Sequence, residues 1–249
     1  AILDEEGGVI VTGYSHHAIA FGDTTLDGSQ WDDDGDSFSY VARLDSSGQW
    51  AWAVGMGGDE NYAGIGTSDT TIVEGVVRFR VCSLSNEWYR IGTSNHTLPG
   101  DGGHCDYILG GIDAGDGSVL WSHDVYLVGD SDANSASYTL VDSDGSTFYW
   151  GGFNGELHWD GEKILGLEGS APWGEGANSS SYMLKVSADG TLLWSVMTNG
   201  TQNQSGYFTN AILDEEGGVI VTGYSHHAIA FGDTTLDGSQ WDDDGDSFS

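Results

Sequence analysis

SYVARLDSSGQWAW (39–52), DYILGGIDAGDGSVLW (106–121) and SYMLKVSADGTLLW (181–194) are three versions of one pattern. Ser or Asp precedes a Tyr, an apolar run follows, and a turn rich in Asp, Ser and Gly interrupts it. A Trp then closes the pattern four residues after the turn glycine, at Gly48 and Trp52, Gly117 and Trp121, and Gly190 and Trp194. β-Branched and aromatic runs on either side of a Gly-containing turn predict antiparallel strands joined by a hairpin. The tryptophans stand 69 and 73 residues apart, so the chain is read as a repeat protein.

A longer period encloses the short one. Residues 1–39 recur without a substitution as 211–249, an offset of 210, and the next Trp of the pattern would follow Trp194 after 68 residues, so three short repeats fill one long period. Identity at polar positions such as Gln30 and Gln240 is not something packing preserves. It points to recent duplication, or to a polymer of 210-residue units. The second copy stops short of the counterpart of Tyr40–Leu44. The expectation is therefore that its last unit is completed from elsewhere, either by a further period or by a neighbouring copy pairing along an open sheet edge.

Within the first repeat, Ala1–Asp4 reads as a short strand, 5–8 as a turn, Val9–Tyr14 as a strand, Ser37–Leu44 as a third and Gln49–Met56 as a fourth. Four antiparallel strands in about 70 residues match a β-propeller blade. The third repeat copies the first, with Val141, Asp142, Asp144, Gly145 and Gly151 in the places of Leu3, Asp4, Glu6, Gly7 and Gly13, while the second diverges. In that second repeat Val77, Phe79 and Val81 alternate with Arg78 and Arg80, which predicts a strand with one apolar and one basic face. The expected organisation is a blade-like repeat at 1–58, a divergent one at 59–130, a third at 131–200 and the start of a further period at 201–249. The expected fold class is all-β: a propeller-like array of four-stranded blades, three per period, not closed within this chain.

LDEEGGVIVTGYS (3–15), AFGDTTLDG (20–28) and DSFSYVARLDSSGQWAWAVGMGG (36–58) together resemble the SBBP-type β-propeller repeats of bacterial and archaeal surface proteins. The resemblance is close over 1–58, fair over 131–200 and poor over 59–130. It implies a blade architecture and a secreted or cell-surface setting, and it carries no catalytic residues to transfer.

Composition bounds the function classes. Thirty-nine acidic residues against six basic give a net charge of −33, or −24 for one 210-residue period. Such a surface repels nucleic acid and anionic membranes and favours solubility and cation binding. No apolar run approaches the length of a membrane span. Cys82 and Cys105 suit a disulfide in an oxidising compartment, with two buried thiols as the alternative. Sequons at Asn95, Asn178, Asn199 and Asn203 suit a glycosylated surface protein. The expected partners are identical repeats, with surface glycans as further candidates.

Two loops carry alternating oxygen donors, Asp32, Asp34 and Asp36 in the first and Asp130, Asp132 and Asn134 in the second. The bland reading is a solvated acidic turn, and the sharper one is a structural Ca²⁺ site, since hard oxygen ligands in a Gly-containing loop suit that ion. His16 and His17, like His226 and His227, are adjacent and cannot easily serve one metal from a strand. His104 beside Cys105 lacks a second pair with zinc spacing. Trp50, Trp52, Trp121 and Trp194 are read as core in preference to a sugar-stacking surface. No nucleophile elbow, phosphate loop or metalloprotease helix occurs, so nothing in the sequence argues for an enzyme. The sequence reading is an extracellular structural fibre or array, with a closed propeller adhesin as the alternative.

Overall fold

The computed structural model describes residues 1–30, 38–58, 70–83, 88–97, 106–128, 138–153, 155–166, 180–200, 206–225 and 228–236. Among these the chain is all-β apart from one short 3₁₀ turn at Gly28–Gln30, and it divides into two compact units, Ala1–Tyr126 and Leu127–Ser249. The first unit holds β1 (Ile2–Leu3), β2 (Val9–Ser15), β3 (Ile19–Phe21), β4 (Thr24–Leu26), β5 (Phe38–Leu44), β6 (Trp50–Gly58), β7 (Thr71–Val73), β8 (Val76–Ser83), β9 (Tyr89–Ile91), β10 (Ser94–His96), β11 (Asp106–Asp113) and all but the last two residues of β12 (Val119–Val128). The second holds β13 (Tyr138–Val141), β14 (Thr147–Phe153), β15 (Glu156–Trp159), β16 (Glu162–Gly166), β17 (Ser180–Val186), β18 (Leu192–Met197), β19 (Asn199–Gly200), β20 (Gly206–Leu213), β21 (Val219–Ser225), β22 (Ile229–Phe231) and β23 (Thr234–Leu236).

Each repeat contributes one antiparallel meander: β1-β2-β5-β6, then β7-β8-β11-β12, then β13-β14-β17-β18. The turns that join these strands follow one recipe. At Asp4–Gly8 the Asp4 amide donates to the Gly8 carbonyl (3.0 Å) and the Gly7 amide donates back to the Asp4 carbonyl (3.3 Å). The same pair of bonds recurs at 45–49, 142–146, 187–191 and 214–218. The fourth residue must take a left-handed backbone, which glycine adopts without a Cβ clash; Gly48 sits at φ 81° and Gly190 at φ 89°. Asp at the first position adds a second lock, because its carboxylate accepts backbone amides further round the turn. Asp45 Oδ1, for example, accepts from the Ser47 and Gln49 amides, both at 2.9 Å.

Just before the second turn of every repeat the register slips by one residue, between Arg43 and Leu44, Gly111 and Ile112, and Lys185 and Val186. Such a bulge reverses the face on which the next side chains fall. In the first repeat Arg43 pairs with Trp52 and Leu44 with Trp50, so the two tryptophans stand on opposite faces of β6. Trp52 enters the core of the first unit, where its Nε1 donates to the Ala114 carbonyl (2.9 Å) and its ring lies over the Gly117 turn. A Cβ at residue 117 would come within 2.8 Å of that ring.

That core is built from Ile10, Val41, Val54 and Met56 of the first sheet with Val77, Phe79, Val81, Ile108 and Ile112 of the second. The sequence pattern predicts β8 to carry an apolar and a basic face, and in the structure both faces are buried. Arg78 and Arg80 are buried like Val77, Phe79 and Val81 on the opposite face, and β8 is an inner strand of its sheet, between β7 and β11. The Arg80 guanidinium sits 4.5 Å above the Tyr107 ring. In the second unit Phe148, Trp150, Met183 and Ala211 form the corresponding cluster, with Phe208, Val219 and Val221 against it.

The sequence reading also missed an element. Each repeat carries a short hairpin between its second and third main strands: β3–β4, β9–β10, β15–β16 and β22–β23. The β9–β10 and β22–β23 hairpins pair, in a defined register, with the strand that ends the preceding repeat. β9 joins β6, with Gly57 opposite Arg90 and Gly58 opposite Tyr89. β22 joins β19, with Asn199 opposite Ala230 and Gly200 opposite Ile229. Counted from Trp52 and Trp194, Gly57 and Asn199 are equivalent positions, and Gly92 and Gly232 align the two hairpins, so both junctions use the same register.

Candidate functional site

Residues 1–26 and 211–236 share one sequence and meet different surroundings, which makes each a control for the other. β2 lies between β1 and β5, whereas β21 pairs, among the described residues, with β20 alone. The consequence is visible in burial. Ile10 is 0 % exposed and its copy Ile220 51 %; Phe21 is 4 % and Phe231 39 %; Leu26 is 5 % and Leu236 37 %. These three side chains are core in the first copy and part-exposed in the second, whereas Ile229 is more buried than its copy Ile19.

In the covered copy the acidic turn is neutralised by a cation from β5. Arg43 Nε donates to Asp4 Oδ2 and Arg43 Nη2 to Glu6 Oε2, both at 2.7 Å, with Arg43 and the Asp4 carboxylate buried and Glu6 largely exposed. Burial alone would push the Asp4 carboxyl up. The Arg43 bond and charge, with the Gly8 and Glu6 amides, outweigh that and hold it below the usual aspartate range. The third repeat rebuilds the device with lysine: Lys185 Nζ lies 3.1 Å from Asp142 Oδ2 and 3.7 Å from Asp144 Oδ2. In the second copy the Asp214 carboxylate accepts the Glu216 and Gly218 amides, at 2.9 and 2.6 Å.

A cavity of about 440 Å³ opens beside β21. Val219, Val221, Phe208 and Phe231 line one side, and Phe148, Met183, Trp194 and Lys185 line the other. Val219 and Val221 correspond to Val9 and Val11, whose cross-strand partners on the same face are Leu44 and Ala42.

The residues singled out from sequence are distributed differently. Asp32, Asp34 and Asp36 and Asp130, Asp132 and Asn134 lie outside the described residues, as do His104, Cys105, Asn178, Asn203, His226 and His227. Among the described residues no group of three or more His, Cys, Asp or Glu is placed to hold a metal ion. Cys82 is disulfide-bonded. Asn95 is exposed on β10, where its Oδ1 accepts from Arg90 Nε (2.8 Å), and Asn199 is exposed on β19. His16 and His17 are exposed, with His16 edge-on to Tyr14.

Assigning all four tryptophans to the core needs correction. Trp52 is core, but Trp50 and Trp194 each keep more than a third of their surface in solvent. The bulge that turns Trp50 to the other face accounts for its share. It lies against the β3–β4 hairpin instead, 4.8 Å from the Phe21 ring. Sequence reasoning missed the Arg43 and Lys185 ion pairs, although a signal was present. With only six basic residues in the chain, two at the same step before a Gly turn mark a position that requires a cation.

No family model and no curated protein matches the chain. Among solved structures, the crystal structure of BamB from Moraxella catarrhalis aligns over 76 % of this chain and 71 % of that one, at 12 % identity and a TM-score of 0.18.

Proposed function

We propose that this chain is a structural component of an extracellular or cell-surface fibre or array, built from tandem or polymerised β-blade repeats. In this reading the four-stranded sheets are propeller-like blades, three to a period, set in open succession. The observation that carries it is the hairpin junction: at two independent places a repeat hands its hairpin to the strand ending the repeat before it, in the same register. A unit that needs a neighbour on each side propagates along one dimension, and its stability grows with each interface added. The strongly acidic surface keeps such an array soluble and leaves Ca²⁺ as the cation its Asp-rich loops would take, while Asn95 and Asn199 stand where glycans would attach.

Electron cryo-microscopy of native multi-period material, with and without a calcium chelator, tests the reading. Filaments whose axial repeat corresponds to 210 residues are expected, loosened by chelation. Discrete closed rings refute it. They would favour instead an adhesin that binds carbohydrate or protein, a reading supported by the part-exposed rings of Trp50 and Trp194.

A further inference from the structure

We propose that Asn95 carries an N-linked oligosaccharide on the outward face of the β9–β10 hairpin. The inference rests on the extracellular setting of the array reading, and it deepens that reading by naming the modified residue and its spacing along the chain.

The hairpin sorts its side chains onto two faces. Successive residues of a strand point to opposite sides, and Asn95, His96 and Thr97 alternate accordingly: Asn95 and Thr97 are exposed and His96 is buried. On the facing strand, Tyr89 and Ile91 are fully buried and join the core of the first unit. His96 stands opposite Tyr89, and its Nδ1 meets Asp124 Oδ1 of β12 at 2.6 Å. The inner face therefore fixes the hairpin. The outer face presents what an N-glycosylation signal needs, an acceptor amide at Asn95 and a hydroxyl two residues on at Thr97.

The amide is also oriented. Asn95 stands directly opposite Arg90, whose Nε donates to Asn95 Oδ1 at 2.8 Å. A guanidinium has donors only, so it takes the oxygen and leaves the nitrogen of the planar amide on the other side. Nδ2, the atom to be modified, has no hydrogen-bond partner among the described residues. Arg90 in turn lies 5.7 Å from the centroid of the half-buried Trp88 ring, which restricts the guanidinium. One of only six basic residues in the chain is thus bonded to a neutral amide.

Sugar transfer leaves this arrangement in place. Asn95 Nδ2 attacks the anomeric carbon of a lipid-phosphate-linked oligosaccharide. The N–C bond forms, the anomeric C–O bond breaks, the lipid phosphate departs with its electron pair, and one Nδ2 proton passes to the transferase. Oδ1 is unchanged and still accepts from Arg90. No core side chain has to move, because Asn95 and Thr97 are exposed. Thr25, Lys163 and Thr235 take the place of Asn95 in the other three hairpins, so this site recurs once in every 210 residues.

Mass spectrometry of proteolytic peptides spanning Asn95, from the full-length native protein, tests the proposal. A hexose- or hexosamine-containing addition on Asn95 is expected in most copies. In a secreting host with N-glycosylation, Thr97→Ser should keep the addition, while Thr97→Ala and Asn95→Gln should each lose it. An unmodified Asn95 in the native protein, or an addition that survives Thr97→Ala, overturns the proposal. The array reading is tested apart from it: filaments with a bare Asn95 leave the array standing and sink the glycan, and an occupied Asn95 in closed rings does the reverse.

Discussion

Replacing Arg43 with Met tests whether the cation at this position holds the first sheet together. Methionine preserves most of the stem volume and removes the guanidinium from Asp4 and Glu6. Glu6 is largely exposed, so its bond contributes at most about 1 kcal/mol, as surface pairs do. Asp4 is the larger effect, since its carboxylate is covered and would be left charged without its counter-ion. Breaking a buried pair costs about 3–5 kcal/mol when one charge is stranded. Asp4 keeps the Glu6 and Gly8 amides (3.0 and 2.6 Å), which places the expected loss at the low end, about 2–3 kcal/mol. Urea unfolding followed by tryptophan fluorescence measures it. Urea is preferred to guanidinium because the latter is a salt and would screen the pair. The double variant Arg43→Met with Asp4→Asn should recover part of the loss, since no uncompensated charge remains. A loss below about 1 kcal/mol for the single variant, or a double variant no more stable than the single, refutes the reasoning. The pH dependence follows from the same geometry. The Asp4 carboxyl is lowered in the folded state, so its contribution is fully present above the unfolded aspartate value of about 3.9 and is lost as pH falls through the lower folded value. The Arg43→Met variant should lack that part of the acid transition.

Gly110→Ala should destabilise the first unit by about 1–3 kcal/mol, because Phe79 is fully buried and cannot retreat from the new methyl; a melting temperature equal to the parent's would contradict this. Trp52→Phe removes the donor to the Ala114 carbonyl and should cost about 1–3 kcal/mol in urea unfolding, more than Trp50→Phe, whose ring is part-exposed. Reduction of the Cys82 disulfide should lower stability by about 2–4 kcal/mol, read as a fall in melting temperature on adding dithiothreitol. Val221→Asp places a charge on the cavity wall. Because Val221 packs against Phe148, Trp150 and Met183, the substitution should lower the stability of the second unit by about 1–3 kcal/mol in urea unfolding, and an unchanged midpoint would contradict this.

Much of the strand architecture can be read from residues. Turn glycines such as Gly48 and Gly190, each preceded by Asp or Ser, predict the hairpins because a left-handed backbone at that step excludes nearly everything else. The main strands around them carry β-branched and aromatic runs long enough to be recognised. The short hairpins escape such a reading because Ile19–Phe21 and Thr24–Leu26 are too short to show alternation, and hairpins such as β9–β10 and β22–β23 pair with another repeat. The two-faced burial of β8 is equally hidden. Alternating Val and Arg looks amphipathic, and only the folded structure reveals that both faces are interior.

The candidate site divides along the same line. Sequence alone established the 210-residue period, the threefold repeat within it, the all-strand composition and the acidic surface, because turn chemistry, apolar pattern and charge are local properties of a chain. Tertiary structure decided which copy of an identical segment is covered. The same Ile-Val-Thr-Gly-Tyr-Ser run lies between two strands at 10–15 and, among the described residues, pairs with β20 at 220–225. A strand's hydrogen-bonding partner lies on another stretch of chain, so its own residues cannot say whether that partner has arrived.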